Sequence, residues 1–231
     1  MSNLNRLAVN ARRMVNLLCG GVLACAVCGA YAAPSDTMIK AVKFDDVKEV
    51  NQLLEQGLDP NLIDDTGTPL LVIAAREKSD KVAAVLIANP KTDLEKLDSA
   101  GENAMMLAAF NGDLGLVKLL LAKNVEVNKK GWAPLHYAAS NGHDDVARVL
   151  IDRSAYLDAG SPNGTTPLMM AARGNHLSTV QLLLDAGADP TIKNQLGLTA
   201  ADFAKQYQAK DVIDWFAARQ QNGPAQQNSA K

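Results

Sequence analysis

Glycine returns through this chain on a period of about 33 residues, and that spacing limits the fold more than any other feature. Gly67, Gly101, Gly131, Gly164 and Gly197 are separated by 34, 30, 33 and 33 residues. Seven residues after each of the first four comes an alanine pair: Ala74-Ala75, Ala108-Ala109, Ala138-Ala139 and Ala171-Ala172. The fifth glycine keeps only Ala204. An apolar cluster follows each time, at Val82–Ile87, Val117–Leu121, Val146–Ile151, Val180–Leu184 and Val212–Phe216. A turn then closes the unit, most cleanly at Asp185-Ala186-Gly187-Ala188-Asp189-Pro190. A period of this length predicts stacked supersecondary units, none of which can bury its own apolar face.

Each unit reads as two helices. Pro134 and Pro167 stand where a first helical turn begins, a position that tolerates a missing N–H. The alanine pairs thin the first helix so that neighbours approach closely. The Val/Leu/Ile clusters give the second helix one apolar stripe. Gly112 and Gly142 suit tight inter-helix turns and Gly187 a helix C-terminus. Aromatics are only 4% of the chain, which also suits closely packed small-residue helices better than a β-sandwich.

The segments Gly131-Trp132-Ala133-Pro134-Leu135-His136-Tyr137-Ala138-Ala139 and Gly164-Thr165-Thr166-Pro167-Leu168-Met169-Met170-Ala171-Ala172 carry a family signature, continued by Ser140-Asn141-Gly142-His143 and Arg173-Gly174-Asn175-His176. They resemble the ankyrin repeat. The likeness covers roughly residues 35–218, with an atypical first copy at Met38–Asn61 and a last copy from Gly197 that has lost the Pro-Leu-His core. It implies an all-α solenoid of five to six helix-turn-helix units over residues 33–218, with projecting β-hairpin or turn fingers. Two departures stand out. The connector from Asn124 to Gly131 is three residues shorter than that from Gly187 to Gly197, so its finger must be stunted. The second unit has a shifted Thr68-Pro69-Leu70 and an Asn89-Pro90-Lys91 turn, which put its local geometry in doubt.

The resemblance further implies a non-catalytic protein that binds another protein through a concave groove. Carried over position by position, the docking residues are Thr68, Arg76 and Glu77 in the second repeat. In the third they are Ser99, Ala100, Glu102, Phe110 and Asn111, and in the fourth Lys129, Lys130, Trp132, Ser140 and Asn141. In the fifth they are Asn163, Thr165 and Arg173. Phe110 and Trp132 are notable in a chain so poor in aromatics, because large aromatics concentrate binding energy at interfaces. The stunted finger would open the groove beside Trp132.

The ends read differently. Arg6, Arg12 and Arg13 precede an uncharged run from Met14 to Val27 and the small-x-small site Ala30-Tyr31-Ala32, the pattern of an export signal of bacterial style cleaved after Ala32. Gly20 and Gly21 interrupt that run, which is short for a membrane span of about 20 apolar residues. In the alternative reading, Val22-Leu23-Ala24-Cys25 is a lipobox and Cys25 a lipid anchor. The expected location is the periplasm, and residues 219–231 form a polar tail expected to be disordered. Beyond residue 32 there are 20 basic and 25 acidic residues, a balance that argues against nucleic-acid binding.

Chemistry-bearing constellations are not evident. Cys19, Cys25 and Cys28 all precede the repeats, which leaves no disulfide or thiolate metal framework there. His143 and His176 are one period apart, and one helix-pair spacing of about 10 Å is too long for a shared metal. His136 is expected to be a structural hydrogen-bonding residue. Asp64-Asp65 and Asp144-Asp145 suit a turn and a helix start. Met105, Met106, Met169 and Met170 suit core filling. No cofactor is expected. A second functional reading is an immunity or protective protein that masks a toxic effector or supports a neighbouring periplasmic enzyme.

Overall fold

The computed structural model describes residues 33–221. Twelve helices are present among them and they pair into six units: α1 Pro34–Lys43 with α2 Val47–Glu55, α3 Leu70–Glu77 with α4 Asp80–Ala88, and α5 Ala104–Asn111 with α6 Leu114–Ala122. Next come α7 Pro134–Ser140 with α8 Asp144–Asp152, α9 Pro167–Arg173 with α10 Leu177–Asp185, and α11 Ala200–Gln206 with α12 Lys210–Gln221. The expected export signal, Cys25 and the tail beyond residue 221 lie outside the described residues. The last helix runs to Gln221, three residues past the expected end of the folded repeats.

One register governs the five glycine-led units. In each, the first helix begins three residues after the repeat glycine, and the second begins thirteen after it. The second unit keeps this register despite its shifted proline. Pro69 becomes the residue before the helix, where its extended backbone is compatible, and Leu70 takes the first helical position. Pro134 and Pro167 occupy that first position directly. The turn at the end of α4 does depart. Units ending at Gly57, Asn124, Ser154 and Gly187 close on a left-handed residue. Pro90 stands at the corresponding place, and its ring confines φ to negative values, so Asn89 leaves α4 in an extended conformation instead.

Packing follows the small residues. All four alanine pairs and Ala204 are buried, and first helices of adjacent units pack more intimately than second helices. The second helices contribute Val82 and Leu86, Val117 and Leu120, Val146 and Leu150, Val180 and Leu183 to the same continuous core. A fully buried leucine of this kind is worth about 2–5 kcal/mol against alanine.

The inter-helix turn needs glycine twice over at Gly112 and Gly142. Their φ values are +69° and +72°, and an added Cβ would fall about 2.6 Å from the ring of His143 or 2.5 Å from that of His176. Those rings fill the space for a reason. His143 Nε2 lies 3.0 Å from the Phe110 carbonyl, and His176 Nε2 3.0 Å from the Ser140 carbonyl. Each histidine meets an orphan carbonyl at the end of the preceding unit's first helix.

Of the two forms expected for the projecting fingers, β-hairpin or turn, the described residues show turns. No strand occurs among the described residues, only an isolated antiparallel bridge between Ile63 and Pro69. The cause is local side-chain competition. Asp64 Oδ1 accepts from the backbone N–H groups of Thr66 and Thr68, Asp98 Oδ1 from Ala100 and Glu102, and Asn194 Oδ1 from Leu196 and Leu198. Donors tied up in such tips are not available to a ladder.

Candidate functional site

Four finger tips close the same way. The residue three before the repeat glycine donates its N–H to the residue one after it, in Asp64 to Thr68, Asp98 to Glu102, Ser161 to Thr165 and Asn194 to Leu198. The repeat glycine donates back to that same residue. Among the described residues no such pair of bonds closes the connector before Gly131. Asn128, three before Gly131, is engaged elsewhere: its Oδ1 accepts from Tyr156 N–H and its Nδ2 donates to the Ser154 carbonyl. Asn61, Glu95 and Asp158 play the same strut role, accepting from Asp93, Glu126 and Asp189. The shortened connector therefore keeps its strut to the next unit and loses its tip.

Beside the missing tip is a pocket of about 300 Å³, with Glu102, Phe110, Trp132, Tyr137, Ser140 and Met170 among its walls. Tyr137 on α7 stands at its centre. Its ring meets Phe110 edge-on at 6.4 Å and Trp132 at 6.3 Å, centroid to centroid, the preferred arrangement for aromatic quadrupoles. Trp132 also meets the His136 ring at 5.3 Å. The Tyr137 hydroxyl donates to Glu102 Oε1 at 2.9 Å. Burial and the adjoining Glu102 carboxylate push the phenol well above its ordinary pKa, so it stays protonated and donating. Phe110 is 44% exposed, so one of the chain's few large aromatics meets water here.

His136, which also lines the pocket, is locked. Ala133 N–H donates to its Nδ1 at 3.1 Å, and its Nε2 lies 2.9 Å from the Ala159 carbonyl and 3.0 Å from that of Thr165. Nδ1 is thus the acceptor and Nε2–H the donor, which defines a neutral tautomer. Burial depresses its pKa despite these bonds. The ring ties α7 to the finger of the fifth unit. It is a clamp with both nitrogens used.

The sequence-derived docking residues divide into three groups. Ala100, Glu102, Phe110, Trp132 and Ser140 come together on the one pocket. Glu77, Ser99 and Lys130 are exposed on the same succession of units, as is Asn163 at a finger tip, where its Oδ1 accepts from Ser161 and Thr165. The others have structural tasks. Asn111 Nδ2 donates to the carbonyls of Ala75 and Arg76, and Asn141 Nδ2 to that of Phe110. Arg76 pairs with the buried Asp98 at 2.9 Å, and Lys129 with Glu95 at 2.6 Å. Arg173 lies 4.9 Å over the Tyr207 ring. Thr165 and Thr68 are 2% exposed, which corrects their placement on a docking surface. Their backbones are drawn into the finger tips, and their side chains go with them.

Two pocket residues were not singled out by sequence. Tyr137 lay hidden inside the family signature. Met170 was read as core, but it is only half-buried and forms a pocket wall, whereas Met105, Met106 and Met169 are buried. The signal for Tyr137 was available, since it falls five residues after Trp132 on a short helix.

Among the described residues no cluster of three or more His, Cys, Asp or Glu could hold a metal ion. No helix among them is long and apolar enough to cross a membrane.

Comparison with known proteins agrees with this architecture. The family model for "Ankyrin repeats (3 copies)" matches residues 38–130, 71–161, 106–194 and 155–227. The Nuclear factor NF-kappa-B p105 subunit of Gallus gallus is 32% identical over 152 residues, 63% of this chain and 16% of that protein. A putative ankyrin repeat-containing protein of Treponema pallidum is 28% identical over 177 residues, 77% of this chain and 49% of that protein. Human BCL-6 corepressor-like protein 1 is 36% identical over 110 residues, 46% of this chain and 6% of that protein. This chain thus spans half or less of the length of these relatives. Ankyrin repeats are general protein-interaction modules. With matched copies running from residue 38 to residue 227 in the register the helices show, this chain belongs to the ankyrin-repeat family.

Proposed function

We propose that this chain is a non-catalytic binding module, exported to the periplasm, that holds a partner protein at the junction of its third and fourth repeats. One observation carries the docking site. The only finger among the five that lacks its closing tip bonds stands next to a pocket walled by Phe110, Trp132 and Tyr137. Aromatic side chains that are already positioned lose little rotamer freedom on binding, so they make efficient anchors. The pocket also rests on stiff support, since the turn between α7 and α8 is tied to the end of α5 through Asn141 and His143, which both bond the Phe110 carbonyl. The export reading rests on the N-terminal pattern ending at Ala32.

The test is a double change, Trp132→Ala with Phe110→Ala, in the full chain. Partners are cross-linked in periplasmic extract and quantified by mass spectrometry against the wild type. We expect capture of the principal partner to fall at least about tenfold, as for a pair of interface hot spots, while the circular dichroism spectrum is retained. Undiminished capture by the folded variant would sink the docking site.

A further inference from the structure

The pocket between the third and fourth repeats holds one formal charge among its lining residues, and that charge is negative. Glu102 contributes it, and the donor found on its carboxylate is the neutral phenol of Tyr137. His136, the other titratable wall, is held neutral by the N–H of Ala133 at its Nδ1. Of the cations on the surrounding face, Lys130 is exposed and is not among the residues lining the pocket, and the other three are engaged elsewhere. Arg76 is paired with Asp98, Lys129 with Glu95 and Glu126, and Arg173 with the Tyr207 ring. A carboxylate in a half-enclosed aromatic pocket is therefore left without a countercharge among these neighbours.

We propose that the pocket receives a lysine or arginine side chain of the partner protein. The inference rests on the docking reading above and adds the chemistry of the anchor. Three complementary features select a cation. Aromatic faces attract positive charge through their quadrupoles, and tryptophan does so best. The Glu102 carboxylate adds a charge-assisted hydrogen bond at the head group. Phe110 and Met170 offer apolar surface to the methylene stem that both basic side chains carry. An apolar guest would strip water from Glu102 and return nothing, and an acidic guest would meet it as a like charge. The acidic excess beyond residue 32, 25 acids against 20 bases, favours approach of a basic segment from a distance.

The experiment uses three capped pentapeptides, all alanine except for a central arginine, citrulline or glutamate. Citrulline matches the shape of arginine without its charge. Binding to the full chain is followed through the indole N–H resonance of Trp132, assigned with Trp132→Phe. We expect the arginine peptide to bind about tenfold more tightly than the citrulline peptide, a preference that Glu102→Gln abolishes and added salt weakens. Glutamine keeps an acceptor for the Tyr137 hydroxyl, so the pocket wall is preserved. Equal binding of arginine and citrulline peptides overturns the inference, as does binding by none of the three to a chain whose spectrum is folded. Partner capture separates the two readings. Capture lost in Trp132→Ala/Phe110→Ala but unchanged in Glu102→Gln leaves the docking site standing and removes the cation. Capture unchanged in both removes both.

Discussion

The two junctions flanking the fourth repeat share its helices α7 and α8 and differ in how they are closed. On its C-terminal side, His136 reaches the Ala159 and Thr165 carbonyls and clamps a complete finger whose tip bonds are made by Ser161 and Gly164. On its N-terminal side the residue in the register of His136 is Met106, which is buried and offers no comparable donor. The finger that follows Met106 is the one with no tip. Clamp and tip are present together on one side and missing together on the other. The difference teaches that the stack does not depend on complete fingers. Asn128 preserves the strut to Tyr156 across the shortened connector, and the helix packing continues through it. Fingers are therefore free to vary, and in this chain the variation uncovers an aromatic pocket.

Removing the clamp breaks that comparison most strongly. His136→Ala leaves the Ala133 N–H and two carbonyls of the next finger without their partner in a buried place. Each abandoned group costs roughly 1–3 kcal/mol, partly recovered by relaxation. We expect a loss of about 3 kcal/mol in urea denaturation. A loss below about 1 kcal/mol would mean that the finger is held by packing, and the two junctions would then differ only in shape.

Acid probes the same clamp with a smaller effect. Protonating Nδ1 would set it against the Ala133 N–H, and burial holds the folded pKa of His136 below its ordinary value. The unfolded chain takes up this proton near pH 6.5 while the folded chain does not. Stability is therefore complete above that pH and falls as pH drops below it, by at most about 1.4 kcal/mol per unit from this group. Asp202, kept low by hydrogen bonds from Thr199, titrates at lower pH, and Asp80, raised by burial and by the neighbouring Asp113, acts in the opposite sense, so the comparison with His136→Gln isolates the histidine. Denaturation midpoints should decline from about pH 7 to about pH 5 in the wild type and decline less in His136→Gln. Equal slopes would remove His136 as the source.

Sequence reasoning reached the fold because the repeat is written in residue size and backbone demand. Alanine pairs, N1 prolines and turn glycines each impose geometry locally, so their spacing recovers the five glycine-led helix pairs. The site was less legible. Phe110, Trp132 and Glu102 were found, since their slots project from the repeat. Asn111 and Asn141 occupy the slot just after that of Phe110, where an asparagine is short enough to fold back on the preceding unit's first helix. Its recurrence in consecutive repeats was itself a sign of a structural task. Thr165 belongs to the slot of Trp132, yet a complete finger tip draws it inward. What decides exposure is the hydrogen bonding of a neighbouring loop, which a residue-by-residue transfer of positions does not contain. The finger struts of Asn61, Glu95, Asn128 and Asp158 were missed for a related reason: glutamate, asparagine and aspartate all serve, so no one letter marks the position in every repeat.

Restoring the missing tip is the gentlest change to stability and the sharpest test of what the gap is for. Ser161-Pro162-Asn163 forms the tip of the next finger, where Ser161 and Asn163 hold the Thr165 N–H. Inserting Ser-Pro-Asn between Lys130 and Gly131 supplies the same three residues at the same offset from the repeat glycine, and it leaves Asn128 and Lys129 in place. Surface insertions of this size cost little, about 0.5 kcal/mol or less, so the urea midpoint should stay close to that of the wild type. The new tip should engage the backbone of Trp132 as Ser161 engages Thr165, and draw the indole out of the pocket. Partner capture and the response of the Trp132 indole to the arginine peptide should both fall by about tenfold, without any change to a pocket side chain. A stable insertion variant that still binds fully would show that the pocket works equally well beneath a complete finger. The coincidence of short connector and exposed aromatics would then carry no functional meaning.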